Sequence, residues 1–480
     1  MLCESIMHSK ILKMQEKLEK IHSNNNHYDH FVDCPEIDFE CQKIGAEILS
    51  SKKNITLKDF NHNTVAIITS FILNNGGHTR QIENYIDIYQ KHGKECVIIV
   101  SNKEDSDKEI IEKFLSRNIK ILFCYSGSII NKIGQLQDFL IETRAEQTIV
   151  LTGVDLVLIS ALQPTLVDKL YWNLNCDHSI SLGLHIPYIT KIMVFRAYLM
   201  HYLHHYIKID KQKLCLITLS KNDTISDEQL AIRFARKNDK IITASCTSTR
   251  TKINEDYIYK YSEIVPEILK ITKGKHMHIG DISKKQIKDI QQKLQQFNIP
   301  QDSFVLVNHT SNFPNFLIDN KVDILIGTFP VGGGLVSVEA MMSGVKIICH
   351  EHAYSYLYNT RDMIYPEAFF WSTSEELYNH IKSLNIDQIT NEGLLARKFY
   401  QTKLSKLEQR IQPHDIVGED CDYENIRNLY SYQLDLFNLL VLKTVNTFDT
   451  KIYIKKILRK IKIFNITKAI FKAITKRTTN

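Results

Sequence analysis

From about residue 62 to about residue 400 the chain alternates between two kinds of segment. Short apolar runs rich in β-branched residues are followed by stretches whose apolar residues recur at helical spacing. "TVAIITSFI" (64–72), "ECVIIVSN" (95–102), "IKILFCYS" (119–126) and "TIVLTG" (148–153) are runs of the first kind. Residues 78–90, 107–117 and 129–144 are of the second, and in 78–90 the side chains of Ile82, Tyr85, Ile86 and Tyr89 share one face. The strand-like runs are apolar throughout, not at every second residue. Such a strand is buried on both faces, which requires a parallel sheet with helices on each side. After a segment read as helical over 190–207 the pattern starts again. "KLCLITLS", "KIITASCTS", "HMHIGDI", "SFVLVNHT", "VDILIGTF" and "KIICHE" read as strands, with helices over 256–272, 284–298, 312–320 and 334–343.

The expected fold is therefore α/β, with two doubly wound Rossmann-like domains facing a cleft. A helical extension precedes them and an amphipathic helical tail follows. The expected boundaries are 1–60 for the extension, 61–225 and 226–410 for the two domains, and 411–480 for the C-terminal region. The polar stretch "SKNDTISDEQ" (220–229) marks the junction. A chain of 480 residues has room for this. In open α/β sheets a ligand binds outside the carboxyl ends of the strands, so the loops after strands are where chemistry is expected.

Four such loops stand out. The chain has only 17 glycines, yet three stand in a row in "FPVGGGLVSVEAMMSGVKIICHE" (329–351). Gly332, Gly333 and Gly334 lie between a strand and a helix, so no side chain blocks a phosphate from the free N–H groups at the helix start. Glu339 falls about a turn and a half into that helix, where a carboxylate suits the two hydroxyls of a ribose. A helical Glu more often faces solvent, and that is the competing reading. In "FILNNGGHTRQIENY" (71–85), Gly76 and Gly77 permit a tight turn before a helix, and Arg80 is within reach of an anion. The spacing is not G-x-G-x-x-G, so a nicotinamide fingerprint is absent. In "ASCTSTRTKINEDY" (244–257), Arg250 and Lys252 follow several hydroxyl side chains, a set that suits a pyrophosphate. In "YWNLNCDHSISLGLHIP" (171–187), Asp177–His178 offers an imidazole to take a proton from an acceptor hydroxyl, one among 19 histidines.

Charge and cysteines narrow the classes. The net charge is +6, but the residues from 450 onward hold ten Lys/Arg and no Asp/Glu, which leaves the other 449 residues at −4. A nucleic-acid-binding body is not indicated. The ten cysteines are scattered without CxxC pairs or metal-ligand spacing, which reads as reduced thiols in the cytoplasm. No apolar run approaches the roughly 18 residues a membrane-spanning helix needs, and "MLCESIMHSK" does not read as a signal peptide.

The order and spacing of these motifs resemble glycosyltransferases of the GT-B architecture, of a family 1- or 4-like or O-GlcNAc-transferase-like bacterial kind. The likeness is strongest over 322–351, at Phe329, Pro330, the three glycines, Glu339, Ala340, Met341 and Gly344. "NNGGHTR" is similar to an acceptor-side loop of bacterial members, and "NCDHSISLG" resembles a stretch of the O-GlcNAc-transferase-like subgroup. The resemblance implies a nucleotide-sugar donor held by the second domain, with Glu339 on the ribose and the glycines, Arg250 and Lys252 on the diphosphate. It implies His178 as base, aided by Asp177, with Gly76, Gly77 and Arg80 on the acceptor or sugar side. It implies no metal and no further cofactor, because basic groups and a helix dipole offset the leaving charge. Two positions depart from the pattern. Val331 stands where retaining members carry an acid, which leans towards inversion, and Lys346 replaces an expected proline.

In the tail, Ile454, Ile457, Leu458 and Ile461 share one helical face, and Lys455, Lys456, Arg459, Lys460 and Lys462 occupy the other. Residues 451–477 thus suit either an anionic membrane surface or a terminal helix packed on the body. The expectation is a cytoplasmic, metal-independent glycosyltransferase, peripheral on a membrane's inner face if the tail binds there. It would act on a glycan, lipid-linked or protein acceptor, without nucleic acid as a partner. A sugar-nucleotide epimerase and a non-catalytic binding protein on the same fold are the alternatives.

Overall fold

The computed structural model describes residues 2–24, 32–52, 55–74, 77–125, 127–174, 180–217, 219–235, 240–247, 250–308, 310, 312–351, 360–405 and 407–418. Residues 1–427 form one compact unit and residues 428–480 a second. The second unit, with the basic tail expected to be an amphipathic helix, lies outside the described residues.

The chain opens with α1 (Leu2–Asn24), β1 (Val32–Asp33) and α2 (Pro35–Ser51). The first lobe then runs β2 (Asn61–Thr69), α3 (Gly77–Lys91), β3 (Glu95–Val100), α4 (Lys108–Ser116), β4 (Lys120–Phe123), α5 (Ile129–Thr143), β5 (Ala145–Leu151), α6 (Leu156–Ala161), β6 (Lys169–Asn173), β7 (Ile180–Ser181), β8 (Ile189–Val194), α7 (Ala197–His205) and β9 (Leu214–Leu216). The second runs α8 (Asp227–Phe234), β10 (Ile242–Thr247), α9 (Tyr261–Thr272), β11 (Lys275–Gly280), α10 (Lys284–Gln296), β12 (Phe304–Val307), α11 (Phe313–Asp319), β13 (Ile324–Ile326), α12 (Gly334–Met342), β14 (Lys346–His350), β15 (Phe369–Trp371), α13 (Ser374–Ser383) and α14 (Ile386–Phe399).

Seven parallel strands make the first sheet, in the order β4-β3-β2-β5-β6-β8-β9, and six make the second, in the order β12-β11-β10-β13-β14-β15. Each is a doubly wound sheet whose winding reverses beside its first strand, β2 in one and β10 in the other. The unbroken apolar runs follow from this. In β13, Leu325 packs into the core on one face, while Ile324 and Ile326 pack into the core on the other with Tyr261, Ile264 and Ile268 of α9. Helix α3 buries the predicted face, with Ile82, Tyr85, Ile86 and Tyr89 in the first lobe's core.

Two expectations are corrected. Residues 190–194, at the start of the segment read as helical over 190–207, lie in strand β8, and α7 starts only at Ala197. "KLCLITLS" was grouped with the second run of strands, although the expected boundary at 225 left it in the first domain. Its strand, β9, instead pairs with β8 as the last strand of the first sheet. When every strand is buried on both faces, composition does not say which sheet a strand joins.

The N-terminal segment is built into the first lobe. Helix α2 packs on α5 and α6, so closely that a Cβ on Gly45 would lie 1.7 Å from the Ser160 carbonyl oxygen. Strand β1 pairs with β7, and the buried Asp38 carboxylate accepts from the main-chain N–H of Gly183 at 2.6 Å and His185 at 3.1 Å. Burial pushes Asp38 up, those two N–H groups pull it back, and it settles at about 6. After α14 the chain returns to the first lobe. Residues 411–418 are irregular, not helical; Ile411 and Ile416 enter that lobe's core, and Tyr171 Oη donates to Asp415 at 2.9 Å.

Among the described residues, no helix is long and apolar enough to cross a membrane. Cys34, Cys41, Cys96, Cys124, Cys215, Cys246 and Cys349 are unbridged, and all but Cys246 are buried.

Candidate functional site

The loops that leave each sheet beside its switch point are those after β2 and β5 in the first lobe and after β10 and β13 in the second. All four open on one cleft of about 1130 Å³ between the lobes. That exceeds most ligand pockets, which run to roughly 1,000 Å³. The first lobe contributes Thr69 to Phe71, Gly77, His78 and Arg80 from one loop and Thr152 to Asp155 from the other. The second contributes Cys246, Thr247 and Lys252, and then Val331 to Val336 with Glu339.

Gly332, Gly333 and Gly334 stand in the cleft wall, at the start of α12. Gly333 caps the helix without any side-chain hydrogen bond. A Cβ there would meet Val336 at 3.2 Å, and one on Gly334 would meet Leu219 at 3.0 Å. The glycines keep the helix start narrow and bare, and its main-chain N–H groups and positive dipole end are what an anion would use.

Glu339 is also in the wall, 1% exposed. A carboxylate so far from water costs several kcal/mol unless paired, and here two cations meet its Oε1. Arg80 Nη1 donates at 2.5 Å, and Lys221 forms a close ion pair. Arg80 was expected on the acceptor or sugar side; α3 brings it from the first lobe to the second lobe's acid. Lys221 follows β9 and went unremarked in the sequence, where it is one lysine in a polar junction. Its carbonyl accepts from Tyr400 Oη at 2.6 Å, and that of Ser220 accepts from Asn84 at 3.0 Å. These bonds fix the main chain that carries it.

Lys252 lines the cleft beside Cys246. Burial drives the Cys246 thiol up to about 12, Glu339 adds to the shift, and Lys252 and Arg80 oppose it. Arg250 opens the short turn Arg250–Ile253; its side chain lies outside the described residues. So does Gly76, while Gly77 begins α3 in the wall. Asp177 and His178 lie outside the described residues as well. Val331 is buried and carries no acid; its carbonyl accepts from Thr328 Oγ1 at 2.7 Å. Lys346, the residue in place of proline, is fully buried and paired with Glu392 of α14.

Several cleft residues had no sequence signal. Gln15, Leu18 and Glu19 of α1 line the side formed by the first lobe, although the N-terminal extension carries no motif. On that side Ser101 Oγ donates to Asp155 in a close bond, and Ser70 and Thr152 share a hydrogen bond of 2.7 Å. The His78 ring nitrogen Nε2 lies 3.0 Å from the Phe71 carbonyl, and burial holds its pKa below the ordinary value. Among the described residues no group of three or more His, Cys, Asp or Glu has the arrangement of a metal site.

No protein-family model matches the chain, and no curated protein matches it in sequence. Solved structures do. A glycosyltransferase from Rickettsia africae aligns with a TM-score of 0.53 at 13% identity, over 78% of this chain and 99% of its own. HepE from Anabaena in complex with UDP aligns at 0.51 and 10%, over 78% and 99%. An S. aureus TarM variant in complex with Fondaparinux, alpha-GlcNAc-glycerol and UDP aligns at 0.51 and 12%, over 78% and 100%. At such identities the likeness is one of fold. Two Rossmann-like lobes facing a cleft, in this strand order, give the chain the GT-B fold.

Proposed function

We propose that the chain is a glycosyltransferase that moves a sugar, most simply a hexose, from a nucleotide-sugar donor to a hydroxyl of a glycan, lipid-linked or protein acceptor. One observation carries the reading. The bare glycine turn at the start of α12 and the buried Glu339 a turn and a half beyond it stand together in the wall of one interlobe cleft. That pairing suits a nucleotide with its diphosphate on the helix end and its ribose on the acid. HepE and the TarM variant, which share the fold, hold UDP.

In this reading Arg250, Lys252 and the N–H groups at Gly332, Gly333 and Gly334 meet the diphosphate as it leaves, without a metal or other cofactor. His178, oriented by Asp177, takes the acceptor's proton. Val331 offers no carboxylate on the donor's path, which favours direct displacement with inversion. Gly76 and Gly77 shape the acceptor side together with α1. A basic tail over 451–477 would hold the enzyme at the cytoplasmic face of a membrane if the acceptor is lipid-linked.

The test is a thermal-shift screen of nucleoside diphosphates and their sugars. A ligand at about one hundred times its Kd stabilises the native state by about 2.7 kcal/mol. The screen should find such a ligand, and Glu339→Ala should abolish the shift. If no nucleotide raises the melting temperature, the reading is wrong. Product formed without an acceptor would point to an epimerase instead, and tight binding without turnover to a binding protein.

A further inference from the structure

The ion-pair trio at Glu339 crosses the cleft, and its members differ in placement. Glu339 and Arg80 both line the cleft, with side chains 2% and 25% exposed. Lys221, 21% exposed, meets the same carboxylate oxygen but lines a separate small recess with Asn84, Ile88 and Ser405. One cation thus faces the space a ligand would fill, on a flexible arm from α3. The other stands outside it, on main chain tied down through Tyr400 and Asn84.

We propose that Arg80 changes partner when the donor arrives, leaving Glu339 for the diphosphate, while Lys221 stays as the counter-ion that holds Glu339 in position. This rests on the nucleotide-sugar reading of the cleft and adds to it a role for the first lobe in recognising donor charge. Two cations on one carboxylate leave an excess positive charge beside the bare start of α12. A diphosphate has the stronger claim on a guanidinium, since it offers paired anionic oxygens to a planar fork of donors. Once Arg80 departs, the carboxylate is open to the ribose hydroxyls. Arg80 is thus a donor ligand held in reserve, and Lys221 is a positioning residue.

The arrangement predicts opposite responses to nucleoside and nucleotide. In the resting protein Arg80 competes with ribose for Glu339, and only a diphosphate compensates its release. Isothermal titration of the full chain with the pairs uridine and UDP, guanosine and GDP, and adenosine and ADP reads both arms. For the pair the wild type prefers, Arg80→Met should weaken the diphosphate about tenfold or more, the loss of a charge-assisted contact. The same change should tighten the nucleoside about threefold, because more of the protein is then competent to bind it. Lys221 remains beside Glu339 in this variant, so the acid keeps a counter-ion. Arg80→Lys should bind the diphosphate more tightly than Arg80→Met. Lys221→Met should weaken nucleoside and diphosphate alike.

If Arg80→Met moves both ligands in the same direction, or moves neither, the exchange of partners is refuted while the nucleotide-sugar reading stands. Arg80→Lys binding the diphosphate no better than Arg80→Met refutes it too. If the wild type binds none of the six, the functional reading fails and takes this inference with it.

Discussion

The second lobe should lose stability in mild acid, because its sheet is built around two buried histidines held neutral. His276 and His278 lie on β11, both 0% exposed. The Tyr261 hydroxyl sits 2.8 Å from His276 Nε2 and 2.8 Å from His278 Nδ1. His276 Nδ1 faces Thr243 Oγ1 at 2.8 Å, and His278 Nε2 faces the Asp281 carbonyl at 3.4 Å. A carbonyl only accepts, so His278 carries its proton on Nε2 and takes the Tyr261 O–H at Nδ1. His276 then donates from Nε2 to Tyr261 and accepts from Thr243. Each ring is neutral, and a further proton leaves a buried donor without a partner.

The shifts follow. Burial, with His278 adding to it, depresses His276 to about 3, and burial depresses His278 to about 4 against the pull of Asp281. Because the folded values lie below the unfolded one, their stabilising effect is complete above the ordinary histidine pKa and is lost as pH falls below it. Between about pH 7 and about pH 5 each ring costs about 2 kcal/mol, so the pair costs about 4 kcal/mol. The assay is the urea midpoint across that range, for the wild type and for His276→Gln/His278→Gln. The wild type should lose about 4 kcal/mol more than the double variant over the same interval. Parallel loss in the two proteins would refute the argument.

Three further outcomes follow from packing and charge. Gly45→Ala should destabilise by on the order of 3 kcal/mol, read by calorimetry, because its Cβ would overlap the Ser160 carbonyl oxygen and push α2 from α6. Unchanged melting would show that α2 does not pack as described. Glu392→Ala should cost about 3 kcal/mol by leaving the buried Lys346 unpaired, whereas Lys346→Met/Glu392→Leu should cost about 1 kcal/mol or less, since an apolar pair fills the same space. Equal costs in chemical denaturation would contradict that asymmetry. Asp38→Asn should lower the transfer rate without changing nucleoside-diphosphate affinity, since Asp38 fixes the loop at Gly183 and His185 but stands outside the cleft wall. A loss of affinity equal to the loss of rate would refute it.

Much of the architecture was legible because two-sided burial leaves a plain mark. Ile324, Leu325 and Ile326 cannot alternate with polar residues when both faces of β13 are covered. The same uniformity left the sheet of one strand open, since Leu214 to Leu216 looks like any other buried strand and only its pairing with β8 assigns it to the first sheet. The glycine turn was legible because a run of three glycines at a strand-to-helix junction has few other uses. The partners of Glu339 were not. Arg80 lies 259 positions away and Lys221 lies 118 away, and no local periodicity couples residues so distant. Lys346 looked like a departure from a motif until Glu392 appeared beside it. The part of α1 in the cleft was illegible for another reason: Gln15 and Glu19 are ordinary polar positions on a helix whose apolar stripe of Met7, Ile11, Met14 and Leu18 explains its folding by itself.

The claim on which the account turns is that main-chain amides at the start of α12 receive a diphosphate. A crystal structure with the nucleoside diphosphate that most raises the melting temperature tests it directly. Phosphate oxygens should lie within hydrogen-bond distance of the N–H groups at Gly333, Gly334 or Leu335, with the ribose against Glu339. A nucleotide bound elsewhere in the cleft, with that helix start still bare, would contradict it.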